Sequence, residues 1–520
     1  MKSSERPRRV IVVGGGAAGW ISACLMRAYL IQRGLGERCQ VTLIESPDVK
    51  ALGVGEGSWP SLRRTLQKIG VDEAELMRRC SASFKQGSRF IDWRAPDHVY
   101  DHPFHVESQL NSVGAEQLLE AFYAQDERPF ASFVSPQPAV CDRALAPKSP
   151  QAPPFEGELS YGYHLDSDKL TELLAEHGVA RLGVVHRKEH IERVELGPEG
   201  EISTLWTRAR QRLSAELFVD CSGSRGLLIK QTLQSPWRSV REQLLNNSAL
   251  ATQAPYSGAQ QPILSMTQAT AFEAGWIWDI CLANRRGVGV VYSDEYADQA
   301  LAQQALERYL TQRCGLQHGS VRSLSTRSIS FEPGYHEACW VKNCVAIGQS
   351  AGFIEPLEAS ALMLVEKNAT ALAKAISVQE LRLDESAQLM NQITSSRWEH
   401  LLRFIKLHYA LSERRDSPYW RAQRDRYSWP RGLSELVSAL QSPHPPPRAA
   451  LRGSPFSAFS YLCVKLGMSS GQPQGSPKSG RAPTEELSAL ISELRAQEAQ
   501  LMQRLLSNRD LLKYYQHLVT

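Results

Sequence analysis

No run of about 18 apolar residues occurs in the chain, so no membrane-spanning helix is expected. Charge of one sign is scarce: the net charge is +4 over 520 residues, too little to argue for a nucleic-acid partner. The ten cysteines are scattered. Cys339 and Cys344 are the closest pair, but no second pair or His-x-His partner completes a zinc site, so no metal is predicted. Reduced thiols in a cytoplasmic protein are the simplest reading. Met1 to Arg9 is charged and leads straight into a strand, which is not the pattern of a signal peptide. No internal repeat is visible.

What remains is an ordinary globular balance, 42% hydrophobic and 22% charged, in a chain long enough for two or three packed domains. Arg9 to Val13 reads as an apolar strand entering Gly14-Gly15-Gly16-Ala17-Ala18-Gly19. A helix follows, with Trp20, Ile21, Cys24, Leu25 and Ala28 at helical spacing. Val41 to Glu45 is a second strand. In this strand–helix–strand context the glycine spacing predicts a dinucleotide site. Gly14 allows the tight turn, Gly16 lets backbone approach a pyrophosphate, Gly19 permits close packing, and Glu45 sits where an acid bonds the adenosine ribose. A glycine turn without ligand is the alternative.

A second glycine-ended strand, Val345 to Gly348, reappears near residue 350, followed by a helix from about Glu358 to Ile376. Leu217 to Gly223 resembles the strand and turn that bring the chain back in flavin monooxygenases. An NAD-binding domain is contiguous, whereas this layout is interrupted. It predicts an α/β, glutathione-reductase-type FAD-binding (Rossmann-like) domain with an inserted β-rich substrate domain and a helical C-terminal region. The division implied is 1–100 for the first part of the FAD domain and 101–215 for an inserted substrate/β region with return strands. The FAD domain returns at 216–235, a substrate-domain sheet takes 236–335, and the last part of the FAD domain takes 336–380. A helical covering region spans 381–470, with a proline-rich loop at Ser442 to Pro447. A linker poor in apolar residues (471–484) and a C-terminal helix (485–520) follow.

Five further stretches, in order, resemble the flavin-dependent tryptophan halogenases. They are Gly53-Val54-Gly55-Glu56-Gly57 with Trp59-Pro60; Ser83-Phe84-Lys85 with Arg89-Phe90 and Trp93; Asp220 to Gly226; Trp276-Ile277-Trp278-Asp279-Ile280; and Gly352 to Glu358. The resemblance runs from about Val10 to about Met468. It implies that reduced FAD from a separate reductase, oxygen and a chloride or bromide co-substrate generate hypohalous acid. That oxidant meets an aromatic ring, an indole, beside Lys85. Glu358 then stabilises the cationic ring and takes its proton. By the same resemblance the flavin site comprises Gly14, Gly16, Ala17, Ala18, Gly19, Glu45, Gly53, Val54, Gly55, Ile191, Gly348, Gln349 and Leu362. The halide lies at the amides of Ser360 and Ala361. The substrate side has His102, Pro103, Phe104, Trp276, Trp278 and Tyr461.

Residue type alone leaves other readings open. Lys85 also suits a solvated strand, Glu358 a first-turn helix acid, and Trp276 and Trp278 one face of a core strand. His408, Tyr409, Arg414, Arg415, Tyr419, Trp420, Arg421, Phe456 and Phe459 are candidates for holding the rest of a tryptophan. The family pattern is broken at Cys281, where its hallmark has proline, and at Ala359-Ser360-Ala361, where it has Ser-Thr-Gly. Alanine in place of that glycine restricts the backbone. Gln349 stands where many flavin hydroxylases have an aspartate. The alternatives in function are a single-component NAD(P)H-dependent FAD aromatic hydroxylase and a degenerate, non-catalytic flavoprotein. A homodimer is the base-rate expectation for assembly.

Overall fold

A computed structural model describes residues 8–48, 53–106, 115–125, 128–378, 383–441, 451–469 and 485–517. The proline-rich loop and the linker at 471–484 lie outside these residues. The chain forms two compact units. The first is Met1–Ala82, Leu165–Val240 and Phe331–Trp398; the second is Ser83–His164, Arg241–Ser330 and Glu399–Thr520. Among the described residues no helix is long and apolar enough to cross a membrane, and all ten cysteines are buried and unbridged.

The first unit is organised by a six-stranded sheet. Its order is Trp340–Val341, Cys344–Ala346, Leu217–Asp220, Arg9–Val13, Gln40–Glu45 and Val185–Lys188. All but the Trp340–Val341 pairing are parallel. Strands buried on both faces read as continuous apolar runs, which is why Val10 to Val13 and Leu217 to Val219 stand out in the sequence. The helix Ala17–Gln32 is buried on most sides and packs against the helices Ala361–Ile376 and Ser167–Ala180.

The second unit is built on a seven-stranded sheet. Its order is Thr326–Ser330, Ser248–Ala254, Arg286–Tyr292, Gly275–Cys281, Thr267–Phe272, Gly87–Ile91 and Val99–Pro103. One pairing, Gly87–Ile91 with Thr267–Phe272, is parallel. Trp93 anchors the core above this sheet. Its Nε1 donates to the Ala269 carbonyl at 3.0 Å, and its ring meets those of Trp276, Tyr409 and Trp420. Burying each such ring stabilises the unit by roughly 2–3 kcal/mol.

These units redraw the division expected from sequence. Residues 83–100, assigned there to the FAD domain, lie in the second unit, because Gly87–Ile91 pairs with a strand some 180 positions away, Ser88 opposite Thr267. The sequence assigns the whole of 101–215 to an inserted region with return strands, but 165–215 belongs to the first unit. Val185–Lys188 extends the parallel sheet there. Pairings between distant segments leave no local periodicity to read. The C-terminal helix is two helices, Glu485–Arg504 and Asn508–His517. The break falls where Ser507 bridges to Leu145 and Ser507 Oγ accepts the Asp510 N–H at 3.0 Å.

Candidate active site

In the first unit the glycine turn has the shape a dinucleotide needs. Gly14 has φ +119° and a Cβ there would lie 2.1 Å from the Cys221 carbonyl oxygen; one on Gly19 would lie 1.9 Å from the Gly14 carbonyl oxygen. At Gly16, by contrast, a Cβ would meet nothing within 4 Å. Gly16 is also the N-cap of Ala17–Gln32, with no side chain capping the first N–H groups. Open backbone at a helix start favours an anionic phosphate. Glu45 lies beside Gly15, and its Oε2 is 3.1 Å from His186 Nε2. Gly348, at φ +83°, packs against Ala18. The residues present therefore fit a pyrophosphate and ribose. Gly53 and Gly55 also have positive φ, 53° and 106°. Gln349 follows Gly348 in a short turn close to Gly223. Ile191 sits partly buried against the cluster formed by Ile11, Val13, Ile44 and Phe218.

The signature Asp220 to Gly226 is a turn organised by one carboxylate. Asp220 Oδ2 accepts the N–H groups of Leu228 and Ile229 at 2.7 and 2.8 Å, and Oδ1 accepts from Ser222 N and Oγ at 2.9 and 2.6 Å. This satisfies the start of the helical segment Leu227–Thr232.

The glutamate segment ends in the helix Ala361–Ile376, three residues later than expected at Glu358. Glu358 lies in the preceding turn, 2% exposed, with its carbonyl accepting Trp59 Nε1 at 2.8 Å. The left-handed residue is Ala359, at φ +51°. Ala361 begins the helix and is not among the positive-φ residues, so alanine fits at 361 and the expected restriction moves to 359. Ser360 caps the helix without a side-chain hydrogen bond, and Leu362 is buried in its first turn.

Further along the same helix Glu366 is 3% exposed and accepts from Ser61 Oγ at 3.1 Å and Thr65 Oγ1 at 2.5 Å. Burial nevertheless pushes its carboxyl up to about 7. A carboxyl with a raised folded value holds its proton more tightly in the native state. Its stabilisation is full below about pH 4.5 and is lost as pH rises through about 7. The Glu366→Gln variant should therefore lose roughly 3 kcal/mol less stability between pH 5 and 8 than the unmodified protein. Denaturant midpoints across that range measure it, and identical slopes would refute it.

In the second unit the strand Ser83–Lys85 pairs antiparallel with Gly162–Leu165, Ser83 opposite His164 and Lys85 opposite Gly162. Lys85 is 0% exposed, which rules out a solvated lysine. Its Nζ lies 5.4 Å from the Phe104 ring centroid. The strand is tied down on both sides of the lysine. Ser83 Oγ donates to the Cys281 carbonyl. Gln86, equally buried, donates to the Leu145 carbonyl at 2.8 Å and Ser265 Oγ at 3.0 Å, and its carbonyl accepts the Phe104 N–H at 2.9 Å. A buried ammonium carries a desolvation penalty of several kcal/mol, and such groups concentrate at functional sites.

Aromatic rings gather in the same unit. His102 lies 5.8 Å from Phe404, which contacts Tyr461 at 4.9 Å and Phe456 at 3.6 Å between centroids. Pro103 is buried and pairs with Gly87. Trp276 and Trp278 lie 6.4 Å apart on one face of their strand, and Gly289 makes room for Trp278.

The tryptophan halogenase family profile matches residues 9–482. The chain belongs to the tryptophan halogenase family. A tryptophan halogenase structure from Shewanella frigidimarina is 37% identical and superposes with a TM-score of 0.92, covering 99% of this chain and 98% of its own. Tryptophan 7-halogenase KtzQ of Kutzneria sp. is 31% identical over 441 residues, 81% of this chain and 79% of its own length. Tryptophan 7-halogenase RebH of Lentzea aerocolonigenes is 28% identical over 540 residues, 97% of this chain and 98% of its own. The chain is thus a flavin-dependent halogenase, and FAD and halide are its cofactor and co-substrate.

Several expected substrate residues of this halogenase are committed elsewhere. His408, Tyr409, Tyr419 and Trp420 are fully buried. Tyr409 and Tyr419 both bond Asn246 at 3.0 Å, Tyr100 Oη bonds His408 Nδ1 at 2.5 Å, and Trp420 Nε1 donates to the Phe272 carbonyl at 2.7 Å. Arg414 forks onto Asp416 at 3.0 and 2.6 Å, and Arg421 donates to the Arg415 carbonyl at 2.7 Å. These residues build core and surface, the commoner use of buried aromatics and exposed charges. Phe404, the ring that joins His102 to Tyr461, was not singled out in the sequence. It reads there as one more apolar position of a long helix.

Proposed function

We propose that this halogenase acts on an indole, with free tryptophan or a tryptophan derivative as substrate and reduced FAD delivered by a separate flavin reductase. The observation that carries the reading is Lys85, an amine buried to 0% beside Phe104 on a strand held rigid by its neighbours. Bound reduced FAD supplies, with oxygen, the oxidising equivalents that convert halide to hypohalous acid. The open amides at Ser360 and Ala361 hold the halide. The Lys85 ammonium donates a hydrogen bond to the oxygen of the hypohalous acid. The oxygen–halogen bond breaks as the halogen passes to the ring, and the departing hydroxide takes the Lys85 proton and leaves as water. The Glu358 carboxylate offsets the positive charge on the ring and accepts the proton it loses. His102, Phe104, Phe404 and Tyr461 supply flat apolar surface for an indole.

Reconstitution tests this directly. The purified protein is given FAD, a flavin reductase, NADH, oxygen, chloride or bromide, and a panel of indoles. The expected products carry chlorine or bromine isotope patterns. A gain of oxygen alone, without added reductase, would replace this reading with the hydroxylase.

A further inference from the structure

We propose that Gln137 is a positioning residue for the indole pocket: paired with Gln86, its side-chain amide sets the spacing between the Lys85 amine and the Phe104 ring, and with it the position at which the indole is halogenated. The proposal rests on the reading of Lys85 as the reacting amine and of Phe104 as a wall of the pocket. Phe104 and His105 follow directly on the strand Val99–Pro103, whose last pairing is Pro103 with Gly87. The ladder ends there, so the next two N–H groups need other acceptors. The Gln86 backbone carbonyl accepts the Phe104 N–H at 2.9 Å. The His105 N–H donates to the side-chain oxygen of Gln137 at 2.7 Å. Gln137 stands on a different segment, at the start of the helix Gln137–Asp142.

The two glutamines are joined. Gln137 Nε2 donates to Gln86 Oε1 at 3.2 Å and to the Ser160 carbonyl at 2.7 Å. Gln86 Nε2 in turn donates to the Leu145 carbonyl at 2.8 Å and to Ser265 Oγ at 3.0 Å. Both side chains are 0% exposed. Each amide thus uses both of its N–H groups and its oxygen. Turning either amide over would set donor against donor, so the chain of bonds runs in one direction. Bonds between two side chains are the minority in proteins, and a pair of leucines would fill the same buried space without needing partners. What the amides add is a directional tie from the residue beside Lys85 to the segment that carries Phe104. The Phe104 ring is only partly buried and lies 5.4 Å from Lys85 Nζ, so its place depends on the backbone beneath it. A displacement of about 1 Å there is on the scale that misaligns reacting atoms, and it approaches the separation of neighbouring ring carbons.

The test uses the full-length halogenase with FAD, a reductase, halide and the indole it turns over fastest. Gln137→Met keeps the length of the side chain and removes its donors and its acceptor. KM for the indole should rise about tenfold and the ratio of halogenated regioisomers should shift at least about fivefold, with FAD affinity unchanged. A purely structural glutamine would lower the folded fraction, and so kcat, without moving KM or the isomer ratio. The proposal is overturned if folded Gln137→Met keeps KM within about twofold and the same isomer ratio while Phe104→Ala moves both. If Phe104→Ala moves neither, Phe104 is no wall of the pocket and the proposal falls with that reading. Normal turnover by Lys85→Met would instead remove the reacting amine, and the spacing set by Gln137 would lose its meaning. Should Gln137→Met fail to fold, Gln86→Met, which cuts the other end of the tie and keeps the Gln86 backbone carbonyl, decides: a moved KM and isomer ratio support the proposal and unmoved ones overturn it.

Discussion

Lys85→Met is expected to lower kcat for halogenation by roughly a thousandfold, the scale of a lost proton donor at a reacting group. Methionine matches the length of the lysine stem and fills irregular apolar space, so the change removes the amine and little else. FAD binding should be unchanged, because the glycine cradle belongs to the first unit and Lys85 to the second. Thermal stability should hold or rise, since removing a buried charge relieves its desolvation penalty. Losing function while stability is kept or gained separates a catalytic lysine from a structural one. Turnover by mass spectrometry, flavin stoichiometry by absorbance and a melting curve give the three readings. Turnover within about tenfold of the unmodified enzyme would take Lys85 out of the mechanism.

Glu358→Gln is expected to slow turnover about a hundredfold. The amide keeps the side chain's size but loses both the charge that offsets a cationic ring and the site that takes its proton. The Glu358 backbone carbonyl still accepts from Trp59, so the turn before the helix should persist. If Glu358 only complemented the helix end, the variant would lose at most about 1 kcal/mol of stability and no rate. An unchanged kcat with a slightly lowered melting temperature would therefore reduce this residue to a helix-end acid.

The nucleotide half of the enzyme was legible because its signals are local. Gly14, Gly16 and Gly19 sit within one turn; a side chain would clash at Gly14 and Gly19, while Gly16 faces open space. The apolar strands that follow are buried on both faces and need no partner to be recognised. The lysine was legible through its Phe84-Lys85 context, but its burial was not, since a three-residue strand shows no periodicity. Residue type leaves His408, Tyr409, Tyr419 and Trp420 open between core and binding roles, and their hydrogen bonds to Tyr100, Asn246 and Phe272 place them in the core. At 359–361 sequence pointed to the wrong alanine, because φ depends on where the helix begins.

The amino-acid sequence by itself determined the glycine turn, the strand–helix–strand unit and the order of the family motifs. These depend on residue type and on neighbours a few positions away. Tertiary structure alone decided which strands share a sheet and that Lys85 is sealed from water. Those facts arise from pairing segments far apart in the chain, Ser83–Lys85 with Gly162–Leu165 and Gly87–Ile91 with Thr267–Phe272. Burial and electrostatic environment belong to the packed ensemble of neighbours rather than to any one stretch of chain.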